Sequence, residues 1–136
     1  MARFRLSPLV EQDIEAILAW SRQQFGEQVR LRYEELLVQA ILNLADDSRH
    51  TGSLERPELA KGAFTYHLRH SRDCVSRSVG RIRKPRHFLL YRVAADGCVE
   101  IGRVLHDSMD LARQLPADYQ VGGEPSATPP RRPRRG

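Results

Sequence analysis

The sequence predicts an α+β domain in which a helical hairpin packs on one face of a mainly antiparallel sheet. Two β-rich runs, His87–Val93 and Cys98–Leu105, flank Asp96-Gly97, a dipeptide that tolerates the positive φ angles of a tight hairpin turn. Upstream, two long stretches repeat their apolar residues with helical period and meet at Gly26. Short alternating runs stand before and after these stretches. The resulting order is an N-terminal strand, two helices, then a three-stranded antiparallel portion. A chain of 136 residues, 40% apolar and 29% charged, suits a single globular core.

Phe4 and Leu6 alternate with Arg3 and Arg5, the period of a short strand with one buried face. Ser7-Pro8 reads as a helix start, because serine can accept a bond from a free first-turn amide and proline suits the first helical position. Val10, Ile14, Ile17, Leu18 and Phe25 then trace one face of a helix that stops near Gly26. In the second helix Val29, Tyr33, Leu36, Leu37, Ala40, Ile41 and Leu44 form the main stripe. Leu31, Val38 and Leu42 add apolar surface on a neighbouring side, so this helix is expected to be covered twice, by the first helix and by the sheet.

Asp46–Gly62 has no sustained period and reads as a surface loop with a short turn at Pro57–Ala60. Phe64, Tyr66 and Leu68 alternate with Thr65, His67 and Arg69, marking a strand. The connection Ser71–Pro85 is rich in Ser and Arg, long for a hairpin, and expected to be mobile. In the next strand Phe88 and Leu90 point one way and Leu89, Tyr91 and Val93 the other, which predicts a central strand. Gly102 suggests a β-bulge and leaves open which of Arg103 and Val104 faces the core. Met109–Leu115 is compatible with a short C-terminal helix ended by Pro116. The domain is expected over 1–120, followed by a disordered Pro/Arg-rich tail over 121–136.

The charge is uneven. Residues 1–50 carry six basic and eight acidic side chains, 51–120 twelve and eight, and 121–136 four and one. Within Arg69–Arg92 eight basic residues face Asp73 alone, a field that attracts nucleic acid or an acidic protein segment. No run has the length of a membrane span and the N-terminus lacks the apolar centre of a secretory signal, so the expected location is cytoplasmic, with no membrane contact. Cys74 and Cys98 lie outside any disulfide framework or zinc spacing and read as ordinary thiols. His67, His70 and His87 lack metal-ligand spacing, and neither a metal nor another cofactor is expected. Ser53, Ser71 and Ser108 stand outside a GxSxG context, and no GxxxxGK[ST] loop occurs, which argues against hydrolase and nucleotidase chemistry.

Several phrases together resemble the RelE/ParE superfamily of type II toxin–antitoxin toxins, in particular its ParE branch. They are Leu9-Val10-Glu11-Gln12-Asp13-Ile14, Phe25-Gly26, Pro57-Glu58-Leu59, Pro85-Arg86-His87-Phe88-Leu89-Leu90-Tyr91-Arg92 and Arg103-Val104-Leu105-His106-Asp107-Ser108-Met109-Asp110. The resemblance spans roughly residues 3–118. It implies a toxin that binds DNA gyrase, stalls it on cleaved DNA and is neutralised by a cognate, ParD-like antitoxin whose C-terminal segment wraps it. The connection Ser71–Lys84 is longer than in a minimal ParE, and either extends a binding surface or is a solvated loop.

Charge, strand position and resemblance together nominate Arg69, Arg86, Tyr91, Arg92, Arg103 and His106 for target contact, and Ile14, Leu18, Tyr33 and Leu37 for antitoxin contact. No catalytic residue is required if the target is bound rather than cut. The alternative is a RelE-like, ribosome-dependent mRNA endonuclease, in which Arg81, Arg83 and Arg103 would stabilise the phosphate and His106 would move a proton. Against it stand Asp107 and Asp110, which repel RNA where such nucleases place an aromatic or histidine–tyrosine ending. A third reading is an inactive relative that only binds its partner or nucleic acid. His106 also has a plain role, fixing the exit of the last strand, and Tyr91 and Arg92 read equally as a core aromatic and a satisfied cation.

Overall fold

The computed structural model describes residues 3–76, 78 and 80–121. Ser7 starts helix α1 (Pro8–Phe25), its Oγ accepting the Val10 N–H at 3.2 Å. Gly26, at φ 93°, ends α1, and α2 (Glu27–Asp46) leaves directly from it. Five strands, β1 (Phe4–Leu6), β2 (Leu54–Glu55), β3 (Phe64–His67), β4 (His87–Val93) and β5 (Val99–His106), form one sheet in the order β1-β5-β4-β3-β2. Every neighbouring pair is antiparallel except β1 with β5. A 3-10 helix at Leu68–Cys74 follows β3, and after a 3-10 turn at Leu111–Arg113 the short helix α3 (Ala117–Val121) ends the described chain.

The helical hairpin covers one face of the sheet. Leu36, Leu37, Ala40 and Leu44 of α2 meet Tyr66, Leu89, Tyr91, Ile101 and Val104 in the main core, each burial worth about 1.5–3 kcal/mol for a large side chain. On the opposite face Leu90 and Leu105 pack with Ala63 and Tyr119 in a smaller second core. Apolar side chains on both faces explain the near-continuous apolar run of β4, the central strand.

The bulge lies at Gly102. Leu90 pairs with Arg103 and Tyr91 with Ile101, so Gly102 is the extra residue on β5. Val104, not Arg103, therefore faces the helical core, and Leu105 faces the second one. Glycine is required by close approach. A Cβ here would stand 2.8 Å from the Tyr119 Oη and 3.0 Å from its Cζ.

Several expectations are corrected. The loop after α2 contains β2, which pairs with β3 through two residues only, too few to show a period. Leu68 belongs to the 3-10 helix rather than to the strand. The connection expected to be mobile from Ser71 begins in that helix, with Ser71 fully buried, 2.7 Å from both the Tyr66 Oη and the Asn43 Nδ2. Its arginines hold their own segment: Arg72 donates to the Arg83 carbonyl at 2.6 Å and Arg81 to the Asp73 carbonyl at 3.0 Å.

Helix α2 is covered by α1 and by the sheet as expected, but the added apolar side formed by Leu31, Val38 and Leu42 stays exposed. Phe25 and Phe4 are also exposed, the first at the tip of the helical hairpin and the second on the edge strand. Pro116 precedes α3 instead of ending a helix, because the first turn needs no N–H from it. The proposed tail falls almost wholly outside the described residues. No described helix is long and apolar enough to cross a membrane.

Candidate functional site

A groove of about 740 Å³ opens where the hairpin tip overhangs the ends of β4 and β5. Trp20 and Phe25 form its outer wall, with ring centroids 5.6 Å apart in an edge-to-face arrangement. Ile17, Val29 and Ile82 extend the apolar lining, and Met109 closes it from beyond β5. Its polar side is formed by Lys84, Arg86, His87 and His106. The two histidines are register partners on β4 and β5, and their rings meet edge to face at 5.2 Å.

Hydrogen bonds behind the groove assign the proton on each ring. The Tyr33 Oη accepts the Arg86 backbone N–H at 3.2 Å, so its own proton goes to the His87 Nδ1 at 2.6 Å. The His106 Nδ1 accepts the Ser108 backbone N–H at 3.1 Å and lies 2.7 Å from the Ser108 Oγ. The His67 Nδ1 likewise accepts the Arg69 N–H at 3.1 Å, and its Nε2 donates to Asp107 at 3.0 Å. In neutral form all three rings therefore carry the proton on Nε2.

The charges are arranged with the same care for polarity. Arg86 donates to both oxygens of Asp107, at 3.1 and 3.3 Å from Nε and 2.9 Å from Nη2. That guanidinium, with help from His67, holds the Asp107 carboxyl down to about 2. Burial, reinforced by the neighbouring His106, pushes His87 down to about 4, so it is neutral at physiological pH. Burial also pushes the Tyr33 hydroxyl up to about 12, keeping it a donor. Among the described residues no group of His, Cys, Asp and Glu is arranged to hold a metal ion. Cys74 is an exposed thiol and Cys98 a buried one.

The family model for the ParE toxin of the type II toxin–antitoxin system parDE matches residues 4–111, most of the chain and all five strands of the sheet. The chain belongs to the ParE toxin family. A search of curated proteins finds no significant match. As a type II toxin it is one half of a pair with an antitoxin.

The structure separates the residues nominated for target contact by this ParE-family toxin. Arg86 and His106 line the groove. Arg69 is exposed on the 3-10 helix after β3. Tyr91 is fully buried, with its Oη donating toward the Ser48 carbonyl at 2.7 Å and lying 2.9 Å from the Ser53 Oγ, so it is a core aromatic that ties down the loop before β2 and offers no surface contact. Arg92 bonds Asp118 at 2.9 Å and stands 4.1 Å from the Tyr119 ring centre, fastening α3 to the sheet. Arg103 is held by Asp13.

The residues nominated for antitoxin contact divide as well. Tyr33 and Leu37 are buried in the stripe that faces the core, although Tyr33 lines the groove. Ile14 and Leu18 pack partly buried against the core. Ile14 and Leu37 also form the base of a shallow depression beside Val38 and Leu42. For the nuclease alternative, the groove around His106 takes Ile82 and Lys84 from the long connection rather than Arg81 and Arg83, and Arg103 is not in its lining.

Sequence reading missed His87, Trp20 and Met109 as groove residues. The pairing of His87 with His106 was available in principle, by counting register back from the Asp96-Gly97 turn and adding one residue for the bulge at Gly102.

Proposed function

We propose that this toxin inhibits DNA gyrase by binding it in the cytoplasm, stalls the enzyme on cleaved DNA, and is held inactive by a cognate antitoxin. The choice of gyrase rests on the resemblance to the ParE branch. The observation that carries binding over cleavage is the pairing of the cations: Arg103 with Asp13, Arg92 with Asp118, Arg86 with Asp107 and Arg81 with Asp73. A nuclease needs positive groups gathered and uncompensated around the scissile phosphate, beside a positioned acid and base. Paired arginines and exposed aromatics such as Trp20 and Phe25 are instead the materials of a protein interface.

The antitoxin is supported as the occupant of the helical hairpin's apolar surface. Leu31, Val38 and Leu42 repeat along α2 at spacings that suit the apolar face of an amphipathic partner segment, and the basic side of the groove at Lys84 and Arg86 suits the acidic residues of such a segment. Expression in growing bacteria, followed by pulses of labelled thymidine and labelled methionine, tests the reading. DNA synthesis is expected to stop first. Earlier loss of protein synthesis would favour ribosome-dependent cleavage and overturn the gyrase assignment.

A further inference from the structure

The groove at the hairpin tip combines two features that the family assignment does not specify. Its walls are apolar and include the only tryptophan of the chain, Trp20. Its polar side contains two imidazoles whose Nδ1 atoms are already engaged from behind, His87 by Tyr33 and His106 by Ser108. The group each ring has left to offer is Nε2–H, a donor. Lys84 adds positive charge at the same side, where Arg86 is paired with Asp107, a carboxylate outside the groove lining.

We infer that the groove is a receptor for a carboxylate borne between bulky apolar side chains, as on an acidic amphipathic protein segment, with the carboxylate seated on the Nε2–H groups of His87 and His106. This deepens the antitoxin half of the proposed function and rests on it, since it names the chemistry by which such a partner is held. Donors fixed in advance lose little freedom on binding, and a carboxylate is the side-chain acceptor that gains most from two N–H groups beside cations. A phosphate would gain from the same donors. The aromatic and aliphatic walls favour a peptide, whose apolar neighbours fill the remaining space.

Carboxylate binding also bears on the protonation of His87. The groups facing His87 are Tyr33 from α2, Arg86 and Lys84 from the preceding segment, His106 from β5, and Asp107 and His67 behind them. A seated anion adds negative charge to this set and opposes the depression of the His87 pKa that burial causes.

The test uses the full, antitoxin-free chain and the fluorescence of Trp20, titrated with the peptide acetyl-Ser-Leu-Phe-Glu-Ile-Leu-Ser-amide and with its twin carrying Gln for Glu. The Glu peptide is expected to bind about tenfold more tightly or better, the scale of a charge-assisted hydrogen bond. His106→Asn keeps an acceptor for the Ser108 N–H but removes the groove donor, and should reduce that preference to within about twofold. His106→Gln restores a donor near the Nε2 position and should retain part of the preference. His87→Asn, which keeps an acceptor for Tyr33, provides a second donor deletion with the same expected loss.

Equal binding of the two peptides to the unsubstituted chain, or no Trp20 response to either at millimolar concentration, would overturn the inference. So would tighter binding of a uridine decamer RNA than of the Glu peptide, since it would make the groove a phosphate site. None of these readouts involves gyrase or toxicity, so failure here and failure of the gyrase reading are separately visible.

Discussion

Asp13 on α1 and Arg103 on β5 form a two-pronged ion pair, 2.8 Å at each prong, and the same carboxylate accepts the Val104 backbone N–H at 3.0 Å. The arrangement meets a local need. Strand β1 pairs with β5 only from Val99 to Ile101, so β5 beyond the bulge lacks a strand on that side, and Asp13 supplies the acceptor. Both side chains are largely buried, Arg103 at 20% and Asp13 at 13% exposure. Asp13→Ala is therefore expected to cost about 3 kcal/mol, because it strands a guanidinium and a strand amide together. Asp13→Ala combined with Arg103→Met should recover part of that loss. Urea denaturation of the two variants checks the prediction, and equal losses in both would show that the pair is not what holds the edge.

Gly102 and Tyr119 form a second dependent pair. Gly102→Ala is expected to destabilise by about 1–3 kcal/mol, since the new methyl meets the tyrosine ring and must displace α3 or flatten the bulge. In a Tyr119→Ala background the same substitution should cost much less. The coupling measured by the double-mutant cycle is the decisive quantity, and additive effects would place the cause in the strand backbone instead.

The environment of His87 sets a pH dependence whose sign follows from its depressed pKa. The ring is neutral when folded down to about 4, whereas in the unfolded chain it takes a proton near 6.5. The unfolded state thus binds more protons between these values, and stability falls as pH drops through that window. After allowance for the ring's partial exposure, the loss is on the order of 1–2 kcal/mol by pH 4. Asp107 adds a further loss at lower pH, between its ordinary 3.8 and about 2. His87→Asn should flatten the slope between pH 6.5 and 4 while leaving the lower loss in place; an unchanged slope in urea midpoints would contradict this.

Local signals in the chain were sufficient for most elements. The Ser7-Pro8 start, the Gly26 break, the Asp96-Gly97 turn and the bulge at Gly102 each depend on backbone chemistry within a few residues. The site was less legible because it is made by distant pairs. Asp13 meets Arg103 across 90 positions, and Tyr33 meets His87 across 54. Helical period marked Leu31, Val38 and Leu42 as apolar but carries no information on whether a partner within the chain covers them. Charge, strand position and resemblance drew attention to Arg92 and Arg103, whose acidic partners lie far away or in a short helix after Pro116.

The action proposed for this ParE-family toxin is binding of gyrase without itself breaking a covalent bond. Its most direct test is ATP-dependent supercoiling of relaxed plasmid by purified gyrase, with and without the folded, antitoxin-free chain, beside a quinolone control for trapped cleaved DNA. Loss of supercoiling with accumulation of linear plasmid is the predicted result. Undiminished supercoiling with no linear plasmid at saturating protein would contradict it and send the search for the target elsewhere, beginning with mRNA on the ribosome.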